Sequence, residues 1–521
     1  MHPHRSLVAL GAALLTVLLA ALLVVLAGPS TALAEKRKGH QPVGEGRKRP
    51  NVVVIMSDDQ DFRSMWAMPQ TRKLIGSTGT TFQREAVSFP LCCPSRATFL
   101  TGQYPHNNGI QWNNAPGGGY YKLDGSETLP VWLQQAGYRT VHIGKYLNEY
   151  GEQDPYEVPQ GWSEWYGGVD PTTYDYYNYT LNHDGKLRTY GDSPKDYSTD
   201  VLADLASHQI KKSAKGTKPF FLNVAPIAPH TVAVASRATM EGTPAVPAPR
   251  DADVFANTPL PAWPNFNEAD ISDKPALQPY FPTQLSADAI DSLTDHYDGR
   301  MGSVLAIDDL VAQVEDSLRQ AHVAKNTVVI YTSDNGWVLG EHRLNDTDTT
   351  NRRAGGVKYV PYEASSRVPL LISGPGFPAG RKVQSPTVNA DLTSTILDVA
   401  DAEPGLPQDG ISLKGVANHP GRTKDRGVLT ETFPNPRLVP TYQSIHTNRY
   451  RYDLTQVGLD GLIDLERDPW ELQSVHADRR YTAIKAALAK GLEQLSDCAG
   501  AECRDTKVDP PEPTGAPLDP H

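Results

Sequence analysis

The stretch of sequence that decides the fold is Asn51-Val-Val-Val-Ile-Met56, which runs directly into Ser57-Asp58-Asp59-Gln60. A short continuous apolar run bounded by polar residues is typical of a strand buried on both faces. A second run of this kind, Thr327-Val-Val-Ile-Tyr331, ends in Thr332-Ser333-Asp334-Asn335-Gly336. The two runs predict two central strands of one sheet, each followed at once by acidic or amide side chains.

Helical patterns separate these runs from other apolar segments. The clearest pattern covers about Ala289 to Gln320, where apolar residues recur at helical spacing. Strands that alternate with helices predict an α/β domain with a largely parallel central sheet flanked by helices. Further central strands are expected at 139–143, 219–224 and 368–372.

The chain changes character near Arg426, where the long patterns give way to short alternating segments and one late helix. This change predicts a small α+β C-terminal subdomain over 426–505, which follows a main domain over 51–425. The proline-rich end of the chain, 506–521, is predicted to be disordered. The segments that support the subdomain are 442–446, 449–454 and 481–495.

The N-terminus has the pattern of a secretory signal peptide. His4 and Arg5 precede a long apolar run, which ends in small residues up to Ala34. We expect cleavage after Ala34, so that residues 1–34 are the signal, 35–50 form a flexible basic leader, and the mature protein is secreted without stable membrane association. Because the apolar run is long enough to span a bilayer, an uncleaved membrane anchor is the alternative.

Charge and cysteine content narrow the possibilities further. The net charge of −11 is spread along the sequence, which argues against a nucleic-acid partner because phosphate binding requires a basic face. Of the four cysteines, Cys498 and Cys503 are close enough to form a bridge in an exported protein, and we expect that bridge. Cys92 and Cys93 are adjacent and could bridge each other only with strain, so they need another explanation.

The acidic residues at the two strand ends predict a metal site. Ligands gather beyond the carboxyl ends of parallel strands, where this sequence places Asp58 with Asp59 and Asp334 with Asn335. Consecutive residues in a strand point to opposite faces, so both members of a pair reach one ion only where the strand has already turned. Such oxygen ligands suit Ca²⁺ or Mg²⁺ better than zinc. Taken singly, either pair is also compatible with ordinary turn residues.

The segment Leu91-Cys92-Cys93-Pro94-Ser95-Arg96-Ala97-Thr98-Phe99-Leu100-Thr101-Gly102 predicts a helix. Pro94 suits its first turn and Gly102 its end. Cys92 then lies at a helix N-terminus, where the dipole and the free N–H groups favour an anion, and Arg96 follows one turn later. Considered alone, two adjacent cysteines favour the interpretation as a buried or redox-active pair.

The pattern Cys92-x-Pro94-Ser95-Arg96, followed by Leu100-Thr101-Gly102, resembles the signature of the type I sulfatases of the alkaline phosphatase superfamily. The double cysteine, Tyr104-Pro105-His106-Asn107 and the segment from Gly144 to Tyr150 most resemble the N-acetylglucosamine-6-sulfatase branch. The similarity covers the chain from Asn51 to about Ala477. It implies an alkaline-phosphatase-like fold and the conversion of Cys92 to formylglycine by a formylglycine-generating enzyme.

The resemblance also implies roles for individual residues. Arg96 would hold the formylglycine hydrate, Lys145 and Lys358 would bind sulfate oxygens, and His230 would assist there and protonate the leaving oxygen. One hydroxyl of the hydrate would attack sulfur, and the second would allow sulfate to be expelled. One divalent cation, expected to be Ca²⁺, would be held by Asp58, Asp59, Asp334, Asn335 and the modified Cys92.

The sequence departs from the family pattern in places. Many sulfatases have a histidine two residues after the first lysine, where this chain has Leu147, and Asn148 is the candidate substitute. An apparent insertion at 349–358 directly precedes and includes Lys358. His342 is either a supporting residue of the site or an ordinary loop histidine. His106 and His142 are expected to be structural.

The resulting expectation is an exported sulfatase that acts on a sulfated sugar, such as a glucosamine 6-sulfate, or on an aryl sulfate. Two alternatives remain at this point. One is a phosphoester or phosphonate hydrolase of the same superfamily. The other is a catalytically silent sugar-binding homologue that keeps an unmodified Cys92 thiol.

Overall fold

Strand β1 (Asn51–Ser57) lies in the middle of the larger of two sheets, paired in parallel with β7 (Phe220–Ala225) on one side and β8 (Thr327–Ser333) on the other. The computed structural model describes residues 49–232, 243–256, 258–278, 281–345, 357–434 and 441–514. The other strands of this sheet are β2 (Thr80–Ala86), β3 (Arg139–Gly144), β4 (Glu164–Gly168), β5 (Thr180–His183), β6 (Lys186–Thr189), β9 (Arg367–Ser373), β10 (Arg381–Val383) and β11 (Thr387–Val388).

The described part of the larger sheet has the order β10-β2-β9-β8-β1-β7-β3-β4-β5-β6, and β11 pairs with β2. The five neighbouring strands β8, β1, β7, β3 and β4 are parallel, whereas β9 and β5 pair antiparallel with the strands beside them. The predicted largely parallel sheet is confirmed, as are the predicted strands at 139–143, 219–224 and 368–372.

Helices cover both faces of this sheet. They are α1 (Pro69–Thr71), α2 (Cys92–Thr101), α3 (Pro105–Asn108), α4 (Leu129–Gln135), α5 (Ser198–Ser213), α6 (Ala287–Gln320), α7 (Glu363–Ser366), α8 (Ala390–Ala400), α9 (Leu413–Asn418), α10 (Thr482–Leu495) and α11 (Ala501–Arg504), the last two in the C-terminal part. The predicted long helix is confirmed as α6. Alternate residues of β1 belong to the hydrophobic cores on opposite faces of the sheet. Val53 and Ile55 pack with α5 and α6. Val52 and Val54 pack with α2 and α8. A run of apolar residues without alternation is the consequence of this two-sided burial.

The chain turns immediately after β1 and β8, as the paired acidic residues require. Strand β1 ends at Ser57, and Asp59 has a left-handed backbone with φ of 66°. Strand β8 ends at Ser333, and the next residue, Asp334, accepts a hydrogen bond at Oδ1 from the Asp59 backbone N–H at 3.0 Å. The two strand ends are thereby joined, with their side chains directed to one place.

The C-terminal part contains a four-stranded antiparallel sheet of β12 (Val428–Glu431), β13 (Tyr442–His446), β14 (Tyr450–Thr455) and β15 (Asp460–Asp464). This sheet packs with α10 and shares its core with Ala86, Tyr104 and Val388 of the larger domain. The predicted segments at 442–446, 449–454 and 481–495 are confirmed as β13, β14 and α10, whereas β12 and β15 were not predicted. The division into domains at residue 425 stays a prediction.

Some predictions at the chain ends need correction or lie outside the described residues. Arg49 and Pro50, placed in the flexible leader, bond to Ala400 and Tyr138 and so belong to the folded part. The start of the supposedly disordered tail is also packed, because Val508 is buried and its N–H donates to the Asp425 carbonyl at 2.6 Å. An apolar side chain that finds a place in the core outweighs the surrounding prolines.

The predicted signal peptide (1–34), most of the leader (35–48) and the end of the tail (515–521) lie outside the described residues. Within the described ranges, none of the helices has both the length and the apolar character that crossing a bilayer requires.

Candidate active site

Cys92 begins helix α2, and the helix ends at Gly102 in the left-handed conformation with φ of 71°. Every residue of this helix is buried, and Cys92 itself is 1% exposed. The helix N-terminus therefore directs its free N–H groups and the Cys92 side chain into the interior, beyond the carboxyl ends of β1 and β8. The predicted start and end of the helix are both confirmed.

The Cys92 thiol lies against the carboxylates that follow β1. Its Sγ is 3.6 Å from Asp58 Oδ1 and 3.9 Å from Asp59 Oδ1. Asn335 joins the same group, since its Nδ2 donates to Asp59 Oδ1 at 2.7 Å. Asp334 completes it through the hydrogen bond from the Asp59 backbone. The structure thus brings together all five predicted metal ligands, although 276 residues separate Asp59 from Asn335.

The chemistry of this group fits a hard divalent cation. Asp59 Oδ2 and Asn335 Oδ1 are buried and accept no hydrogen bond from any residue that the structure describes. Buried oxygens without a donor are costly, and a cation relieves that cost. Asp58, Asp59, Cys92 and His230 also offer ligand atoms that lie within 4.8 Å of one another. His230 is therefore a further candidate ligand that the sequence argument did not assign to the metal.

Two lysines reach into this carboxylate group. Lys145 Nζ is 2.6 Å from Asp58 Oδ2, and Lys358 Nζ is 2.5 Å from Asp59 Oδ1. Lys358 Nζ also donates to Cys92 Sγ at 3.4 Å. The facing carboxylates hold the pKa of both ammonium groups above the usual value although burial opposes this. Both lysines remain charged and are placed to bind an anion beside Cys92.

Arg96 supports the group from one turn along α2. Its Nε donates to Asp334 Oδ2 at 2.7 Å, and its Nη1 donates to the Lys145 carbonyl at 3.0 Å. Its Nη2 lies 3.9 Å from Asp58 Oδ1. The Arg96 guanidinium therefore fixes both strand ends relative to Lys145. Its planar set of N–H donors is suited to contacting several acceptors at once.

Burial also controls the protonation of the thiol. It raises the pKa of Cys92 to about 12, and the nearby lysines only partly oppose that rise. Burial acts in the same direction on Asp58 and Asp59, but Lys145 and Lys358 outweigh it, so the pKa of both carboxyls lies below the usual value. The pocket therefore combines ionised carboxylates with an unmodified thiol that stays protonated.

His230 follows β7 and lies next to Asp59. Its Nδ1 is 2.6 Å from the Thr231 carbonyl oxygen, which can only accept, so Nδ1 carries the hydrogen. Burial lowers the pKa of His230, which leaves Nε2 without a proton in the neutral ring. Nε2 lies 3.3 Å from Asp59 Oδ2. Two acceptors facing each other at this distance again fit a bound cation between them.

Three residues that the sequence argument did not identify also border the site. The ring centroid of Tyr174 is 4.6 Å from Lys145 Nζ, and that of Trp337 is 5.2 Å from Lys358 Nζ. Arg300 donates to the Asp59 and Pro229 carbonyls from helix α6. In the sequence, Arg300 is distinguished only as a charged residue on the apolar face of the predicted helix.

The remaining candidates lie elsewhere or act indirectly. Asn148 Nδ2 donates to Tyr174 Oη at 2.6 Å. His342 is fully buried, and its Nδ1 is 2.5 Å from Glu268 Oε2 within a separate network. His142 stacks on Trp165 in the core, and His106 bonds to Glu431 and to the Cys498 carbonyl. The expectations for His106 and His142 are confirmed.

Comparison with known proteins agrees with this geometry. A family model described as Sulfatase matches residues 50–402, and one described as N-sulphoglucosamine sulphohydrolase, C-terminal, matches residues 357–498. The N-acetylglucosamine-6-sulfatase of Homo sapiens is 32% identical over 89% of this chain and 88% of its own length. An arylsulfatase of Volvox carteri is also 32% identical, over 88% of this chain and 76% of its own.

Solved structures share the fold. One, a protein bound to its substrate D-glucosamine-2-N,6-O-disulfate, has a TM-score of 0.68 at 23% identity and covers 88% of this chain and 99% of its own. A phosphonate monoester hydrolase of Agrobacterium radiobacter has a TM-score of 0.61 at 21% identity, over 86% and 95% of the two chains. The family match and the 32% identical relatives go further than the fold: this chain belongs to the sulfatase family, the enzymes that hydrolyse sulfuric esters.

Proposed function

We propose that this sulfatase is exported and removes sulfate from a sulfated saccharide of the glucosamine 6-sulfate kind, using formylglycine formed from Cys92 and one bound Ca²⁺. The observation that carries the proposal is the placement of Cys92 Sγ, 3.4 Å from Lys358 Nζ and 3.6 Å from Asp58 Oδ1. A residue converted at this position would face both an anion-binding lysine and the acidic strand ends. The relatives named N-acetylglucosamine-6-sulfatases support the saccharide, and those named arylsulfatases make aryl sulfates the second choice.

Lys145, Lys358 and Arg96 provide the positive charge for the sulfate. The two lysines pair with Asp58 and Asp59, and each Nζ has a hydrogen atom left to donate to an anion. Arg96 holds the Lys145 backbone, which fixes the point from which this side chain reaches into the pocket. Fixed donors in a buried site stabilise the charge on the transferring group without reorganising during the reaction.

The modified residue and the cation supply the chemistry that the chain lacks. A hydrated formylglycine offers one hydroxyl to attack sulfur and a second whose deprotonation expels sulfate. A divalent cation at Asp58, Asp59, Asp334 and Asn335 would lower the pKa of the attacking hydroxyl and neutralise sulfate oxygens. Oxygen ligands of this kind and number favour Ca²⁺. The export proposal is independent of the site and rests on the N-terminal pattern of residues 1–34.

A substrate panel tests the proposed function. The enzyme, coproduced with a formylglycine-generating enzyme and supplied with Ca²⁺, is assayed for sulfate release from glucosamine 6-sulfate, N-acetylglucosamine 6-sulfate, the matching 3-sulfates and 4-nitrophenyl sulfate. We expect the highest kcat/KM on a 6-sulfated glucosamine, and no release by the Cys92→Ala variant. A preference for the 3-sulfates or for the aryl sulfate would contradict the proposed substrate but leave the sulfatase activity intact.

Phenyl phosphonate and 4-nitrophenyl phosphate complete the panel, because a phosphonate monoester hydrolase shares the fold. Faster turnover of either compound than of every sulfate ester would favour that rival. A chain that hydrolyses none of the compounds and keeps a thiol at position 92 would instead be a silent homologue.

A further inference from the structure

Arg300 is a buried cation that bonds to backbone carbonyls beside the site rather than to a carboxylate. It lies in the middle of α6 and is 3% exposed. Its Nη1 donates to the Pro229 carbonyl at 2.9 Å, and its Nη2 donates to the Asp59 carbonyl. Its guanidinium carbon lies 4.9 Å from the ring centroid of Trp337. Among the described residues, no carboxylate forms an ion pair with it.

The three contacts of Arg300 reach three different turns of the site. Asp59 follows β1, Pro229 follows β7 and Trp337 follows β8. Because β1 pairs with both of the other strands, these turns lie side by side at the carboxyl ends of the strands. The N–H groups of a buried guanidinium need acceptors, and here the turns of the site provide them. One side chain therefore ties together the turns that carry Asp59, His230 and the pair Asp334 and Asn335.

The bond to Asp59 is the most informative of the three, because the backbone of Asp59 is unusual. Its φ of 66° lies in the left-handed region, which a residue with a side chain adopts only where its surroundings hold it there. The side chain that projects from this backbone faces Asn335 Nδ2 and Cys92 Sγ. A change of Asp59 to an ordinary conformation would direct its carboxylate away from both.

Two hydrogen bonds from described residues hold the Asp59 main chain. Its N–H donates to Asp334 Oδ1 at 3.0 Å, and its carbonyl accepts from Arg300. Asp334 is itself a proposed metal ligand, so its restraint depends on the group that it helps to form. Arg300 is not a ligand, and its helix is anchored separately, since Tyr297, Met301 and Val304 pack in the core below the sheet. Arg300 is thus the restraint on Asp59 that does not require an ion.

From these contacts we infer that Arg300 is a positioning residue that holds Asp59 in its ligand conformation before the cation binds. Binding then requires no rearrangement of the Asp59 backbone, so loss of Arg300 weakens the affinity for the cation without changing the ligand set. The bond to Pro229, directly before His230, fixes the turn after β7 in the same frame. The inference rests on the proposed function, and in particular on its Ca²⁺ site.

Calcium titration by isothermal calorimetry tests this role, with enzyme that has been freed of metal by a chelator. In Arg300→Lys a single ammonium replaces the planar fork of donors, so the Kd for Ca²⁺ should rise about 10-fold or more. Arg300→Gln, which is neutral, should weaken binding to a similar degree. Saturating Ca²⁺ should restore the kcat of Arg300→Lys to within about threefold of wild type, because the bound ion then stabilises the ligand conformation.

Arg319→Lys is the matched control. It is the same substitution in the same helix, at a residue that is 51% exposed and pairs with Asp316. We expect its Kd for Ca²⁺ and its kcat to equal those of wild type. The thermal midpoint of every variant, measured in the presence of the chelator, reports on the fold separately from the cation.

A Kd for Ca²⁺ that stayed within about twofold of wild type in both Arg300 variants would overturn this role and leave the cation site in place. A kcat that excess Ca²⁺ could not restore would overturn it as well. Loss of the cooperative thermal transition in both variants would show that Arg300 serves the whole fold instead. A wild-type enzyme that bound no Ca²⁺ would overturn the proposed cation and this role together.

Discussion

Lys358 Nζ lies 3.4 Å from Cys92 Sγ, although 266 residues separate the two along the chain. Cys92 is held there by the N-terminus of α2, and Lys358 arrives from the segment that leads into α7. The same ammonium group pairs with Asp59 at 2.5 Å. One lysine thus links Cys92 with the acidic strand ends.

Cys92→Ser should fold normally but stop after one catalytic event. Serine has nearly the same size and keeps the contacts of Cys92 with Lys358 and Asp58. It has one hydroxyl, so a sulfated serine could form and could not expel sulfate. We expect at most one equivalent of alcohol per enzyme in a rapid-quench assay, with no free sulfate. Continued sulfate release from this variant would rule out a formylglycine mechanism.

Asp334→Asn should abolish the effect of Ca²⁺ on both activity and stability. Asparagine can still accept the hydrogen bonds from the Asp59 and Asn335 N–H groups, and it leaves Arg96 a polar partner, which alanine would not. We expect kcat/KM to fall about 10²-fold or more, with an unfolding cost of about 1–3 kcal/mol.

The readout for that substitution is the shift of the thermal midpoint with added Ca²⁺, which a cation bound to the native state must raise in wild type. Asp316→Asn, on an exposed turn of α6, serves as the control. A midpoint that rises equally with Ca²⁺ in wild type and Asp334→Asn would show that Asp334 is not a ligand.

Glu85→Gln should stabilise the protein at neutral pH and not at acid pH. Burial raises the pKa of Glu85 well above its ordinary value, and no residue in the described part of the chain forms a hydrogen bond of good geometry with either carboxyl oxygen. The unfolded chain therefore loses this proton at lower pH than the folded chain, so stability falls as pH rises above about 4.5. Glutamine does not ionise, so the variant does not lose this stability as the pH rises.

We expect the gain in the unfolding free energy from Glu85→Gln to be about 1–3 kcal/mol at pH 8 and to vanish near pH 4. Urea unfolding at the two pH values measures it. A variant that is less stable than wild type at pH 8 would mean that Glu85 is ionised and paired in the folded protein.

Loss of the Cys498–Cys503 bridge should affect stability more than catalysis. The structure confirms this disulfide, which closes a loop of only five residues in sequence separation. So short a loop predicts a contribution of about 2 kcal/mol. The double substitution Cys498→Ser and Cys503→Ser should lower the thermal midpoint while kcat stays within about twofold. A large loss of kcat would show that the C-terminal part controls the site directly.

The sequence was sufficient for the central strands β1, β3, β7, β8 and β9 and for the acidic strand ends, because their signals are local. Uninterrupted apolar runs such as 51–56 mark strands covered on both faces, and the turn that follows each run brings its paired side chains together. The cysteine motif located the start of α2 in the same way. Each of these features depends on neighbours in the chain.

Other parts of the site depend on tertiary contacts that leave no local pattern. Tyr174 is one tyrosine among several in an irregular segment, and only the packing of its turn against Lys145 distinguishes it. His342 lies in a conspicuous Gly-Glu-His sequence, yet its partner Glu268 belongs to a distant loop. The buried Val508 was likewise hidden among prolines, because the cavity it fills is built by other segments.

Mass analysis of the peptide that contains position 92, taken from purified and active protein, tests the central claim most directly. We expect that peptide to carry an aldehyde or its hydrate in place of the Cys92 thiol, to react with a hydrazide probe, and to do so in proportion to the specific activity of the preparation. Fully active protein with an intact thiol at position 92 would contradict the claim.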